Sequence, residues 1–280
     1  MHLQHATIRG KTVCYATGGD EDSDRVLVLV HAFPVGVRMW QPQLDAFPGW
    51  RVVAPALPGF DGSDLEPNAT IDAFADVVAA LATHLGLSRA VFAGVSMGGY
   101  VLFALQRKAA HLIHGLVLAD TRMGADGDAA KAGRQHMIDT LRQRGPSAIA
   151  NEVIPKLLGP TTSARRPDAP ALVRQMIESQ PPESIESAVR ALMTRPDASA
   201  VAAAIRVPTL VVVGEEDVLT PPEEAERIHA AVSGSTLVRL AGVGHLASLE
   251  DPDAFNAAVG TFLQTQASRF RTVPVESTPR

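Results

Sequence analysis

The chain has 280 residues, of which 46% are apolar and 20% charged, with a formal net charge of −5; a chain of this length and balance buries a substantial core. Acids and bases are interspersed, leaving no electrostatic footprint for a phosphate backbone and no polybasic patch for anionic lipid, so no nucleic-acid or membrane partner is expected. Cys14 is the single cysteine, which rules out an intrachain disulfide, a CxxC pair and a cysteine-rich zinc site and favours a reducing cytoplasmic setting.

In chain order, β-branched runs predict about eight strands: around Ile8, Thr12–Tyr15, Val26–Val30, Arg51–Ala54, Ala90–Ala93, Leu116–Ala119, Thr209–Val213 and Thr236–Leu240. From Val26 onward most are unbroken apolar stretches, the pattern of parallel strands covered on both faces. Helical periodicity falls between them, over Ile71–Leu85 with Gly86 as its stop, Met97–Ala110 and Pro252–Gln264. Strands alternating with helices define an α/β fold with a mostly parallel sheet and a site at the carboxyl ends of the strands. Apolar runs such as Val26–Val30 are far short of the roughly 20 residues that span a bilayer, and the polar opening Met1–Gly10 lacks a signal-peptide core, so neither export nor anchoring is expected.

Between Thr121 and Val207 no strand signal occurs. Apolar spacing there suggests four amphipathic helices separated by Pro146, Pro160, Pro170 and Pro181. The expected organisation is a core of residues 1–121 and 207–268, an inserted helical cap of residues 122–206, and a flexible C-terminal tail of residues 269–280. A separately folding helical domain is the alternative for the insertion.

Gly94-Val95-Ser96-Met97-Gly98-Gly99 follows the strand Ala90–Ala93 and precedes a helix. At a tight strand-to-helix turn, glycine is needed on both sides because a Cβ would collide with strand or helix, and the turn lifts the Ser96 hydroxyl clear of the sheet. A serine hydroxyl is a weak nucleophile and requires a base, normally a histidine oriented by a carboxylate. Of the nine histidines, His245 alone lies in a glycine-rich turn between a terminal strand and the last helix. The acid is sought beyond Val211–Val213, where Asp217 leads into a proline-bounded turn; Asp120, at the end of Leu116–Ala119, competes for the role. For the developing oxyanion, backbone N–H groups are expected from Met97, directly after the serine, and from Phe33, in the loop following Val26–Val30. His31 in that loop reads as a packing residue. A pocket in the cap is expected to draw on Trp40, Met123, Ile138, Leu141, Ile154, Leu157 and Leu219. No metal site and no cofactor are expected; His111 and His114 lack an acidic partner for a metal.

These elements together resemble the α/β-hydrolase superfamily across nearly the whole chain. His31-Ala32-Phe33-Pro34 is similar to its oxyanion loop, Ala54-Pro55-Ala56-Leu57-Pro58-Gly59-Phe60-Asp61-Gly62-Ser63 resembles its P-D-x-x-G-x-G-x-S segment, and the order Ser96, Asp217, His245 is the family order. Ala32 in place of a usual glycine and Ala56 in place of a common aspartate are departures. Serine at the elbow argues against dehalogenase and epoxide hydrolase chemistry, in which aspartate attacks. The resemblance implies an eight-stranded α/β-hydrolase fold with a helical cap, and a carboxylesterase or enol-lactone hydrolase acting on a small ester or lactone, as monomer or homodimer. Carbon–carbon bond hydrolysis, perhydrolysis or acyl transfer on the same triad, and a low-turnover small-molecule receptor, are the alternatives.

Overall fold

The computed structural model describes residues 1–66 and 69–266; the tail expected over 269–280 lies outside them. Strands β1 (Gln4–Ile8), β2 (Lys11–Gly19), β3 (Val26–Val30), β4 (Arg51–Pro55), β5 (Ala90–Val95), β6 (Ile113–Ala119), β7 (Thr209–Gly214) and β8 (Thr236–Leu240) form one sheet in the order β1-β2-β4-β3-β5-β6-β7-β8. The β1–β2 and β2–β4 pairs are antiparallel and every other pair is parallel. Every residue of β3, β5 and β7 is buried, which is why these strands read as continuous apolar runs; β1 and β8, at the edges, mix buried and exposed positions.

The helices are α1 (Ile71–His84), α2 (Met97–Ala109), α3 (Asp128–Arg144), α4 (Pro146–Leu157), α5 (Pro160–Arg165), α6 (Ala169–Glu178), α7 (Pro182–Met193), α8 (Ser199–Ala203), α9 (Pro222–Ala231), α10 (Ala247–Glu250) and α11 (Pro252–Thr265). One contiguous group, α1, α2, α8 and α9, packs on the sheet; α10 and α11 pack with a 3-10 segment, Val37–Gln43, as a second group. Local signals set the ends of α1: the Thr70 hydroxyl accepts from the Ala73 N–H at 3.0 Å, and Gly86, at φ 71°, turns the chain away after the last turn.

Between β6 and β7 lie six helices, where four were expected. The four longer ones, α3, α4, α6 and α7, carry the predicted apolar periods, whereas α5 and α8, with 6 and 5 residues, are too short to show one. Pro146 and Pro160 open α4 and α5, Pro170 sits in the first turn of α6, and Pro181 precedes α7, positions where the missing N–H would have no helical partner. Buried residues Ile138, Ile149, Val173 and Ile185 of this segment belong to the same apolar cluster as the sheet residues.

Candidate active site

Ser96 joins β5 directly to α2 with φ 54° and ψ −112°, a backbone conformation that costs an L-residue on the order of 1–3 kcal/mol. The surroundings hold it there: its N–H donates to the Ala119 carbonyl and its own carbonyl accepts from the Thr121 hydroxyl, both at 2.9 Å. A Cβ on Gly94 would meet the backbone of Gly98, and one on Gly98 would strike the Val30 carbonyl. These collisions are the steric reason for glycine at both positions.

His245 lies in the turn between β8 and α10. Its Nε2 is 2.7 Å from the Ser96 hydroxyl and its Nδ1 is 2.8 Å from Asp217 Oδ2. An ionised carboxylate can only accept, so Nδ1 carries the proton and Nε2 is left to accept from Ser96. Asp217 also accepts from the Thr220 hydroxyl at 2.6 Å and from the N–H groups of Leu219 and Thr220 at 2.8 and 3.0 Å. Burial alone would push this carboxyl up, but the charge and hydrogen bond of His245, together with the bonds from Thr220, outweigh it and hold it below its ordinary range.

Asp120 does not reach the imidazole. Its carboxylate accepts from the N–H of Gly214 at 2.9 Å and of Ala247 at 3.3 Å, tying the end of β7 to the start of α10. Burial, reinforced by the nearby charges of Asp217 and Glu250, raises its pKa well above the ordinary value despite those two bonds. Glu250 is a second buried brace: it accepts from Gly244, Leu246 and Gly159 N–H groups at 3.0, 2.9 and 2.8 Å. Nothing in the amino-acid pattern singled out Glu250, because a carboxylate that accepts only from backbone leaves no partner residue type to search for.

Phe33 lines the cavity beside Ser96, and Met97 opens α2 with its side chain fully buried. Among the described residues, neither of their N–H groups donates to a protein acceptor. His31 is fully buried; its Nδ1 donates to the Ala32 carbonyl and its Nε2 accepts from the Leu57 N–H, each at 3.0 Å. Burial is the main cause that lowers its pKa. At the two departures from the family pattern, the Ala32 N–H points at the Met39 sulfur, and the Ala56 N–H donates to the Cys14 carbonyl while its own carbonyl accepts from the Ser63 hydroxyl.

A cavity of about 250 Å³ opens over Ser96 and His245, slightly smaller than the roughly 300–1,000 Å³ that suits drug-sized ligands. Of the pocket residues expected from sequence, Leu157 and Leu219 line it. Met123 instead borders a neighbouring cavity of about 360 Å³. Trp40 is fully buried against Phe255, and Ile138, Leu141 and Ile154 are buried between elements. Helical periodicity identifies a buried face but does not distinguish packing against a helix from facing empty space. The cavity takes Met137 in place of Ile138 and Val153 in place of Ile154, together with Pro34, Tyr100, Leu192 and Thr220. Three cationic side chains, Arg122, Arg134 and Lys156, complete its wall. Among the described residues no group of three or more His, Cys, Asp or Glu is placed to hold a metal ion, and no helix is long and apolar enough to cross a membrane.

Residues 27–258 match the model of the alpha/beta hydrolase family, and the chain belongs to that family. It is similar to a thermophilic esterase from Thermogutta terrifontis, solved with malate bound, at 35% identity and a TM-score of 0.88 over 95% of this chain and 99% of that one. An enol-lactonase structure from Burkholderia xenovorans is 27% identical with a TM-score of 0.86, covering 93% and 100% of the two chains. The 3-oxoadipate enol-lactonase 1 of Acinetobacter baylyi is 23% identical over 92% of this chain and 95% of its own.

Proposed function

We propose that this hydrolase cleaves a small carboxylic ester or lactone through an acyl-enzyme on Ser96. The observation that carries the reading is the unbroken hydrogen-bond chain from Ser96 Oγ through His245 to Asp217, with Ser96 and His245 lining a cavity. The ester- and lactone-cleaving activities of the relatives support it.

In this reading the Ser96 oxygen attacks the carbonyl carbon while its proton passes to His245 Nε2, and Asp217 stabilises the resulting imidazolium without taking the proton. The N–H groups of Phe33 and Met97, which have no acceptor among the described residues, receive the oxyanion, and α2 directs its positive end at the same place. Collapse expels the alcohol, protonated by His245. Water then adds to the acyl carbon with His245 as base, and the acid leaves Ser96 free. Residues 122–206 act as the cap, supplying the cavity wall through α3, α4 and α7, over a core of residues 1–121 and 207–266.

Labelling with a fluorophosphonate followed by mass spectrometry tests the nucleophile: the adduct is expected on Ser96. In the folded Ser96→Ala protein, turnover on a panel of short esters and lactones should fall by a factor on the order of 10⁴–10⁶. Near-normal turnover by that variant, or labelling elsewhere, overturns the proposal.

A further inference from the structure

The cavity wall carries more positive charge than ester hydrolysis requires. Arg122, Arg134 and Lys156 line it, and no acidic side chain does. Behind the wall, Asp126 is buried and meets three guanidinium groups: Arg122 at 2.6 Å, Arg134 at 2.8 Å and Arg195 at 2.8 Å. Burial alone would push the Asp126 carboxyl up, but the bond and charge of Arg134, with the charges of Arg195 and Arg122, outweigh it and keep it ionised. One carboxylate against three guanidiniums leaves this cluster with excess positive charge even before Lys156 is counted.

The arrangement divides into two parts. Arg195 is almost wholly buried and stacks 4.2 Å over the Tyr100 ring, while also bonding the Gly124 carbonyl. It acts as a structural clamp between the end of α7 and the segment after β6. Arg122 and Arg134 keep 27% and 20% of their side chains exposed, and both border the cavity. Asp126 fixes one edge of each guanidinium and leaves the remaining donors of the fork for a ligand. On α3, Arg134 and Met137 are three residues apart; on α4, Val153, Lys156 and Leu157 follow the spacing of one helix face. Each helix therefore presents a cation and an apolar side chain together. Asp126 and the more distant Glu224 are the acids acting on Arg122, and neither lines the cavity.

We infer that the substrate of this site carries a carboxylate or similar anionic group a few bonds from the scissile carbonyl, held by Arg122 and Arg134 with Lys156 beside them. This inference rests on the hydrolase reading above and adds the charge of the substrate to it. The small cavity sets the length: one anionic group, a short apolar spacer against Met137, Val153, Leu157 and Leu192, and the ester carbonyl at Ser96 occupy the space together. Cations in a partly desolvated pocket bind an anion more strongly than the same charges on an open surface.

The test compares the monomethyl and dimethyl esters of succinate, glutarate and adipate at pH 7.5. The two members of each pair differ by one methyl group and one negative charge. Alkaline hydrolysis in water favours the uncharged diester, so a preference for the monoester comes from the protein. At the best chain length, kcat/KM for the monoester should exceed that for the diester by about tenfold or more. Raising ionic strength should shrink the ratio. Arg134→Met and Lys156→Met should each lower the ratio several-fold, a change that loss of a purely structural ion pair does not produce, and Arg134→Lys should restore part of it. Lys156 is exposed, so its variant tests the idea even if Arg134→Met fails to fold. Equal or higher kcat/KM for the diesters, with ratios unmoved in these variants, overturns the inference. Calorimetry with free glutarate and the Ser96→Ala protein separates the two proposals. Salt-sensitive binding that weakens in Ser96→Ala/Arg134→Met supports the anion site even if no ester is turned over, whereas ester turnover without glutarate binding or monoester preference leaves the hydrolase and removes the anion site.

Discussion

Glu250 holds the backbone on both sides of His245: it accepts from the N–H of Gly244 at 3.0 Å and of Leu246 at 2.9 Å, with Gly159 at 2.8 Å as its third donor. Two segments far apart in the chain, the histidine turn and the α4–α5 junction, thus share one buried carboxylate. Removing it orphans three N–H groups at once. Glu250→Ala should lower stability by about 3 kcal/mol and, by loosening the imidazole, reduce kcat/KM by roughly ten- to a hundredfold. Glu250→Gln, which keeps one acceptor oxygen, should recover part of each. Urea unfolding and steady-state kinetics on an ester measure both quantities, and wild-type values for the alanine variant would show the brace to be dispensable.

Asp217 and Asp120 are predicted to affect the pH dependence of stability in opposite directions. Asp217 is held below its ordinary range, so its stabilising contribution is present above an unfolded value of about 4 and lost as pH falls through the lower folded value. Asp120 is raised, so its contribution is present below about 4 and lost as pH rises through the raised value. Unfolding curves collected from pH 3 to 8 should lose their acid-side decline in Asp217→Asn and their neutral-side decline in Asp120→Asn. Asp217→Asn should also reduce kcat by about 10⁴, because Nδ1 no longer has an anionic acceptor to fix the tautomer.

Gly98 and Gly133 predict contrasting outcomes for the same substitution. A methyl group at Gly98 strikes the Val30 carbonyl, whereas at exposed Gly133, inside α3, it meets nothing within 4 Å. Gly98→Ala should destabilise by about 2–3 kcal/mol or more and abolish labelling of Ser96. Gly133→Ala should stabilise by about 0.5–1 kcal/mol through backbone entropy. Thermal unfolding of the two variants, beside fluorophosphonate labelling, gives the comparison.

Met137 and Ile138 are sequence neighbours on different faces of α3, one bordering the cavity and the other fully buried. Met137→Ala should move the preferred acyl length upward at little cost in stability. Ile138→Ala should cost about 2–4 kcal/mol and leave the order of substrate preference unchanged. An ester series of increasing acyl length, with urea unfolding, separates the two.

The sheet and the elbow were legible because short-range physics dictates them. Strands buried on both faces must be apolar throughout, and the turn at Ser96 excludes side chains at Gly94 and Gly98. His245 stood out by its glycine-rich turn at a strand end. Asp217 was preferred to Asp120 for the proline-bounded turn it leads into, although both follow buried strands, and Asp217 lies 2.8 Å from Nδ1. The cavity was the least legible part. Its wall draws one to three residues each from α2, α3, α4 and α7 and from the turn after β7, and whether a helix face meets another helix or an empty volume depends on crossing geometry. The cations Arg122, after β6, and Arg134, on α3, escaped notice for the same reason: in a segment rich in arginine, a charged residue reads as solvated until the fold turns it inward.

The His245 N–H donates to the Leu157 carbonyl at 3.1 Å, the last residue of α4. The residue proposed as the base is therefore tied through its own backbone to the helix that borders its cavity, and an outward displacement of that end of α4 would cost this bond.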